Sequence, residues 1–487
     1  MALSTLFALV VSLTPDPAQA QDTVVPVVIR DVTVISATGA PPAPGMTVVL
    51  GGGRIQSVTP ARQARLPRGA RLVDGRGKFL IPGLWDMHTH LANRPLFPGA
   101  DRAVGFERNR DYTFSLLLAA GVTGVRDMAG DFAVLARWRD EVARGAVLGP
   151  RLVITGKKLG KNPVVPGAPY PIASDADVRR SVELLQQGGA DFVKVDGLPG
   201  RYFYLLFQAA NAAGLDVVGH STLDLGVVEA ARMGQRSLEH LDGVVLACAS
   251  EESGIRADAV AEGGWWRRLL TRIGLSDPEE NFRDRYRRML ASQQDAKTDS
   301  VIATLRQHET WQVPTLVLLR DIRLLPPSAA LAEALAAYAT PDGGEPPPDI
   351  RWAGDTALPH ALYRRELAVL GGMIRAGVPI MAGTDGPGGT RLPGVALQDE
   401  LELLVAAGMT PLEALQAATR EPARFLGLLD SLGTVEAGKV ADLVLLDADP
   451  LADIGNVRRV SGVARAGRWL DGAALEGLRA RARAVSR

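Results

Sequence analysis

The chain has 487 residues, enough for one α/β barrel of about 250 residues or more together with a smaller domain. Lysine plus arginine and aspartate plus glutamate both number 54, so the net charge does not favour binding to nucleic acid or to an anionic membrane. The single cysteine, Cys248, excludes an intramolecular disulfide framework and a cysteine-rich zinc site.

The first twenty residues have the features of a secretory signal peptide. Residues 2–13 form an uncharged apolar run, and Ala18-Gln19-Ala20 matches a small-x-small cleavage site. We therefore expect cleavage after Ala20 and a periplasmic or secreted protein. The run is too short to span a bilayer, so no stable membrane insertion is expected. No lysine or arginine precedes it, and a mis-assigned start or a disordered tail is the alternative.

Short β runs occupy both ends of the chain. Residues 21–80 contain VVPVVIRDVTVIS, MTVVL and RIQSV, separated by glycine and proline clusters. Residues 429–475 contain LGTVEAGKVADLVLLDAD and VRRVSGVARAGRWL. Neither segment has enough strands for a stable core of its own. The two segments together predict one composite β-sandwich domain.

Residues 81–428 alternate short apolar β runs with helical patterns. The eight runs are LWDMHTH, GVTGVRDM, RLVITG, DFVKV, DVVGHS, RSLEHL, WQVPTLVL and VPIMAGTD. Helical patterns such as Asp111–Ala120, Asp175–Gln187 and Tyr202–Ala213 separate most of them. This alternation predicts a closed (β/α)₈ TIM-like barrel with functional residues at the carboxyl ends of the strands. An open doubly wound sheet is the alternative.

One interval departs from this alternation. About 70 residues separate His240 from WQVPTLVL, which predicts a helical insertion over about residues 250–310. The polar, proline-rich segment TPDGGEPPPDIRW precedes the last helix–strand unit. Both segments follow predicted strands, so a lid over the site and a solvated insertion are equally compatible with the pattern. His308 and His360 are expected to be ordinary surface or helix residues.

The strongest chemical motif is residues 81–90, IPGLWDMHTH. Alternate residues of a strand share a face, so Asp86, His88 and His90 project together, and the two imidazoles can bind one metal ion. Other residues suited to a metal site end later runs: Lys194, His220, His240 and Asp385. A barrel would bring all of these strand ends to one site, and only six histidines occur in the whole chain.

These residues resemble the amidohydrolase superfamily, particularly its imidazolonepropionase-like and Xaa-Pro-dipeptidase-like branch. The resemblance extends from about Val27 to Trp469 and is most specific in PGLWDMHTHL, GVTGVRDM, DFVKV, LEHLDG and AGTDG. The tail segments DELELLVAAGMTPLEALQAATREPARFLGL and GTVEAGKVADLVLLDADPLADI also match strongly. The signal segment and the insertion after His240 lie outside the resemblance.

The resemblance implies two divalent metal ions, with zinc expected, held by His88, His90, Lys194, His220, His240 and Asp385. The first histidine pair would bind the more buried ion and the second pair the other ion, with Lys194, carboxylated by CO₂, as the bridge. Burial favours the neutral amine that reacts with CO₂. Ions ~3.5–4 Å apart can share a nucleophilic hydroxide, and Asp385 would act as general base and then as general acid.

Substrate contacts are less clearly marked. Many relatives carry a histidine after the last strand, whereas GVALQDEL has Gln398 here, so contacts from that loop do not transfer. After Lys194, the segment DGLPGRYFYLL offers Arg201, Tyr202 and Tyr204 as candidates for binding a substrate carboxylate. Packing at the start of a helix is the alternative role of these three residues.

We therefore expect an exported binuclear amidohydrolase that cleaves a C–N amide bond in a small carboxylate-bearing substrate, a dipeptide such as Xaa-Pro or an N-acyl amino acid. The alternatives are an imidazolonepropionase-like cyclic amide hydrolase, a lactonase, a carbamate hydrolase or a deaminase. A catalytically silent barrel used for binding is the non-enzyme alternative. It is disfavoured because all six candidate ligand positions carry competent residues. A homo-oligomer is left open.

Overall fold

The computed structural model describes residues 25–97, 101–160, 170–222, 224–262, 278–338, 340, 352 and 355–486. The predicted signal peptide, residues 1–20, lies outside these residues. Within the described part of the chain, no helix is both long and apolar enough to cross a membrane.

Seventeen strands are present in the described residues. They are β1 Val27–Val34, β2 Ala43–Gly51, β3 Arg54–Pro60, β4 Arg71–Asp74, β5 Phe79–Pro82, β6 Leu84–Thr89, β7 Val122–Asp127, β8 Arg151–Ile154, β9 Leu159–Gly160, β10 Tyr170–Pro171, β11 Phe192–Val195, β12 Asp216–Gly219, β13 Ser237–Glu239, β14 Trp311–Val313, β15 Leu443–Leu446, β16 Val460–Arg465 and β17 Arg468–Asp471.

The α-helices of the same residues are α1 Arg102–Ala119, α2 Phe132–Ala143, α3 Asp175–Gln187, α4 Gly200–Ala213, α5 Gly226–Arg232, α6 Val244–Ala247, α7 Glu252–Glu262, α8 Pro278–Ala291, α9 Asp295–Gln307, α10 Leu316–Ile322, α11 Ala329–Tyr338, α12 Ala357–Ala376, α13 Val395–Ala406, α14 Pro411–Ala417, α15 Arg420–Phe425 and α16 Gly472–Ser486. Short 3₁₀ helices span Ala61–Gln63 and Ile454–Arg458.

Both terminal segments contribute to one β-rich unit, as predicted. Strands β1–β5 and β15–β17 belong to a single eight-stranded sheet, in which β5 pairs antiparallel with β15 and places Leu80 opposite Leu445. Strand β1 pairs with β2, β4 and β5. Val27, Leu80 and Leu443 belong to one buried apolar cluster, so the two ends of the chain share a core that neither has alone. The predicted domain boundaries stay predictions.

The middle of the chain is a TIM-like barrel of parallel strands, which confirms the predicted fold class. Strands β6–β8 form one sheet, and β9–β14 form another. The eighth predicted run is not a regular strand, but it bonds to both neighbours: Gln312 N donates to Pro379 O at 2.9 Å, and Met87 N donates to Ala382 O at 2.9 Å. No continuous ladder closes the ring in the described residues. Between β8 and the segment that enters β11, Asp191 N donates a backbone hydrogen bond to Ile154 O at 2.9 Å.

Local sequence explains the helices that cover this barrel. A capping box at Ser174 starts α3 at the predicted residue, and the left-handed Gly214 ends α4. Helix α1 begins earlier than its apolar pattern predicts, because the Asp101 side chain accepts a hydrogen bond from Ala103 N and caps a polar first turn. Every residue of β6, β7 and β11 is buried, as expected for strands covered on both faces.

The insertion after His240 contains α7, α8 and α9 among the described residues. Trp352 packs against Phe282 and Tyr286 of α8, with ring centroids 5.1 and 5.5 Å apart. The predicted helical character is therefore present. A role of this segment as a lid stays a prediction.

Candidate metal centre

A histidine–carboxylate cluster lies at the carboxyl ends of the barrel strands. The Nε2 atoms of His88 and His90 each lie 3.1 Å from Asp385 Oδ1. His240 Nε2 lies 3.9 Å from the same oxygen. One ligand atom of each of His88, His90 and Asp385 falls within 4.8 Å of the others, a grouping compact enough to hold one cation.

The other two predicted ligands adjoin this cluster. Lys194 Nζ lies 3.2 Å from His88 Nε2, and the side chain is fully buried. The His220 and His240 rings have centroids 5.1 Å apart. The structure therefore brings together all six residues that the sequence indicated. Their role as metal ligands stays a prediction.

Backbone geometry at the strand ends makes room for the cluster. Asp385 and His240 adopt φ values of 60° and 59°, so the chain turns sharply just where each side chain enters the site. At Gly219, whose φ is 119°, a Cβ would lie 2.3 Å from Val195 O and 3.2 Å from Lys194 Cγ. A larger residue there would displace the strand that carries Lys194.

Each histidine of the cluster has a partner at Nδ1. The pairs are His88 with Glu239 Oε2 at 2.8 Å, His90 with Ala129 O at 3.0 Å, His220 with Asp242 Oδ2 at 3.2 Å and His240 with Thr315 Oγ1 at 2.7 Å. Carboxylates and carbonyls only accept hydrogen bonds, so they fix the proton on Nδ1 and leave the Nε2 lone pair free. Partners of this kind orient metal-ligating histidines, so the residues fit a divalent ion.

Burial and neighbouring groups shift the pKa values of several of these residues. It lowers the pKa of His88 to about 4, with the neighbouring Lys194 charge adding to the shift, so this imidazole is neutral. Burial also lowers the pKa of Lys194 to about 8. For Asp385 burial acts to raise the pKa, but the neighbouring His88, His90 and His240 outweigh it and hold the pKa well below its usual value. Neutral imidazoles and an ionised carboxylate form a suitable donor set.

Comparison with known proteins identifies the family of this chain. The model of the amidohydrolase family matches residues 79–470. The chain belongs to this family. It is 28% identical over 438 residues to an imidazolonepropionase of Caulobacter sp. (strain K31), covering 86% of this chain and 93% of that protein.

Solved structures support the fold of this amidohydrolase. An Xaa-Pro dipeptidase with bound methionine superposes with a TM-score of 0.64 at 20% identity, covering 92% of this chain and 100% of that one. The ochratoxinase of A. niger superposes with a TM-score of 0.63 at 19% identity, covering 93% of this chain and 97% of that one. At these identities the likeness concerns the fold alone.

The buried pair Arg126 and Glu239 of this amidohydrolase is not apparent from its sequence. Arg126 Nη2 lies 3.0 Å from Glu239 Oε1, and Arg126 Nε donates to Met87 O at 2.7 Å. Burial acts to raise the pKa of Glu239, but the Arg126 charge and the His88 hydrogen bond outweigh it and hold the pKa far below its usual value. Glu239 is therefore an ionised acceptor that orients His88. The one feature of the sequence that could have indicated Glu239 is its position directly before His240.

The side chains expected to bind substrate form hydrogen bonds to other groups among the described residues, not to the histidines of the cluster. Arg201 Nη2 donates to the Tyr202 hydroxyl at 3.0 Å, and Tyr202 is buried in a separate apolar cluster. The Tyr204 hydroxyl donates to Glu229 at 2.9 Å. Gln398 Nε2 donates to Ala120 O at 3.2 Å, a packing contact. The role of the first three residues in substrate binding stays a prediction.

Replacing Glu239 with glutamine tests the buried pair. Glu239→Gln keeps the size of the side chain but leaves the Arg126 charge without its partner. Removing one member of a buried ion pair costs about 3–5 kcal/mol, so the free energy of unfolding in urea is expected to fall by that amount. The control is Glu309→Gln, since Glu309 pairs with Arg424 at the surface at 3.4 Å and such pairs contribute about 0–1 kcal/mol. Equal small losses in both variants would contradict the assignment.

Proposed function

We propose that this amidohydrolase is a binuclear metal-dependent enzyme that cleaves a C–N amide bond in a small substrate carrying a carboxylate. Family membership identifies a hydrolase of C–N bonds. The observation that carries the finer proposal is the position of Lys194, which is buried 3.2 Å from His88 Nε2. A mononuclear site has no use for an amine at that position, whereas a carboxylated lysine can bridge two ions.

The chain's own residues then have separate tasks. His88 and His90 hold the more buried ion, and His220 and His240 hold the second. When bound, the two ions supply Lewis acidity towards the amide carbonyl and lower the pKa of water. Asp385 accepts a proton from the attacking water and returns it to the leaving nitrogen.

The substrate class is the finer part of the proposal. An Xaa-Pro dipeptidase shares the fold, and we take a dipeptide or an N-acyl amino acid as the first candidate. The imidazolonepropionase relative covers most of this chain and favours a cyclic amide as the second candidate. Assaying dipeptides, N-acyl amino acids and the imidazolonepropionase substrate with one preparation separates the two. Turnover of lactones, carbamate esters or deamination substrates alone would contradict both.

We also propose export, on the signal pattern of residues 1–20.

Elemental analysis tests the binuclear site directly. We expect two metal ions per chain, both zinc, and His220→Ala should retain about one. The control is His308→Ala, since His308 is exposed at the end of α9 and should leave the content at two ions. At most one ion per chain in fully active enzyme would contradict the binuclear proposal.

A further inference from the structure

Arg391 lies beside the carboxylate that is proposed to carry protons. Its Nη2 is 3.9 Å from Asp385 Oδ2, whereas Asp385 Oδ1 faces the histidines. The guanidinium is fixed by its other nitrogens: Nε donates to Asp385 O at 3.1 Å, and Nη1 donates to Asp321 at 3.2 Å. Asp321 is buried, so this anchor is protected from water.

Arg391 Nη2 has no hydrogen bond to any of the described residues, although the guanidinium is held in place. A Cβ at Gly388 would lie 3.2 Å from this nitrogen, so the glycine leaves it uncovered. A planar donor that is already oriented loses little conformational entropy when it binds an anion.

The same arginine lines a narrow cleft beside the loop that follows Asp385. Leu96, Tyr112, Leu335 and Leu392 give the cleft an apolar wall. Among the described residues that line the cleft, Arg391 is the one charged side chain. An apolar wall next to a single cationic donor is complementary to an apolar amino acid with a free carboxylate.

We infer that Arg391 binds the α-carboxylate of the amino acid released by hydrolysis, with the side chain of that amino acid facing the apolar wall of the cleft. This inference rests on the proposed function and narrows its substrate class. The leaving nitrogen and the carboxylate carbon are bonded to the same Cα, so they lie about 2.5 Å apart. A nitrogen that takes a proton from Asp385 therefore places the α-carboxylate within reach of Nη2.

This short path distinguishes between carboxylate positions. A carboxylate on a longer chain, as in a β-amino acid, has an additional rotatable bond and loses more conformational entropy when Asp385 and Arg391 hold its two ends. Arg201, the arginine that the sequence favoured, is held against Tyr202 on α4. Arg391 thus meets both requirements, an available donor and proximity to Asp385.

The test measures discrimination between acid and amide in the zinc-loaded full chain. The substrates are an N-acyl apolar α-amino acid, its α-carboxamide and its β-amino acid homologue. The readout is the ratio of kcat/KM for the free acid to that for the carboxamide, so a change in catalysis common to both substrates cancels. Wild type should prefer the α-acid to both other compounds. Arg391→Met should reduce the acid-to-carboxamide ratio at least tenfold, the size of a charge-assisted hydrogen bond.

Arg391→Lys keeps the charge without the planar fork and should retain part of the ratio. Arg137→Met is the matched control, because Arg137 pairs with Glu107 and Glu141 on the outer face of α2, and its ratio should equal that of wild type. An unchanged ratio in Arg391→Met would overturn the inference. A large fall of the acid-to-carboxamide ratio in Arg201→Met, with no fall in Arg391→Met, would also overturn the inference.

A binding measurement separates this inference from the proposed function. The probe is a reduced-amide analogue, in which a methylene replaces the carbonyl, prepared as the free acid and as the carboxamide. Calorimetry should show at least tenfold weaker binding of the acid to Arg391→Met, with the carboxamide bound equally by variant and wild type. If no amide is hydrolysed yet this difference appears, the proposed function fails and the carboxylate site stands. If amides are hydrolysed without such a difference, the carboxylate site fails and the proposed function stands.

Discussion

Replacing Asp385 with asparagine is expected to lower kcat about 10²–10⁴-fold, the usual contribution of general acid–base catalysis. The amide can neither accept a proton from water nor return one to the leaving nitrogen. Asparagine tolerates positive φ at least as well as aspartate, so the φ of 60° at this position gives no reason for misfolding. Loss of the negative charge beside His88 and His90 should also weaken metal binding, which would add to the fall in kcat.

The measurement compares kcat, metal content and circular dichroism of wild type and Asp385→Asn. Asp216→Asn is the control, since Asp216 lies at the amino end of β12 and is exposed. This control should keep kcat within about twofold, because exposed carboxylates contribute little to stability and none of the proposed chemistry lies there. A kcat for Asp385→Asn within about twofold of wild type would remove Asp385 from the mechanism.

The sequence was sufficient to predict the residues of the centre because side-chain period and strand position are local properties. Alternation within LWDMHTH places His88 and His90 on one face, and the structure brings both to Asp385. Lys194 is the third of four buried residues in β11, as its apolar neighbours indicated. Local chemistry of this kind needs no knowledge of which strands become neighbours.

The partners that orient these residues could not be predicted in the same way. His88 bonds to Glu239 across 151 positions, and Glu239 bonds to Arg126 across 113 positions. Such pairs depend on the order of strands in the barrel and on the rotamer of each side chain. The available donor of Arg391 is also not apparent from sequence, because it depends on the separate contacts that fix Nε and Nη1.

Helix α4 shows that a local pattern can also suggest residues that packing directs elsewhere. Its sequence offered Arg201, Tyr202 and Tyr204 after the Lys194 strand, but a helix turns successive side chains in different directions. Tyr202 enters the apolar cluster, whereas Tyr204 is 49% exposed. The rotation of α4 about its axis decides this, and tertiary packing sets that rotation.

Lys194→Ala is expected to abolish most activity and to remove one metal ion per chain. Lys194 is buried and next to His88, and it is the residue proposed to bridge the two ions after carboxylation. Alteration of residues that only orient a metal ligand costs about 10–100-fold in affinity or activity, so loss of a shared ligand should exceed that range. Lys78→Ala is the control, because Lys78 pairs with Asp447 in the terminal sheet, away from the barrel strand ends.

Two further measurements distinguish a bridge from a structural lysine. Addition of formate or acetate to Lys194→Ala should restore part of the activity and the second ion, since a small carboxylate can occupy the space of the missing carbamate. Wild-type apoenzyme should take up its second zinc faster with bicarbonate than in CO₂-depleted buffer, because the neutral amine combines with CO₂ and releases one proton to form the carbamate. Full metal content and activity in the variant, or uptake independent of bicarbonate, would show that Lys194 serves packing alone and that any two-ion site is bridged by other groups.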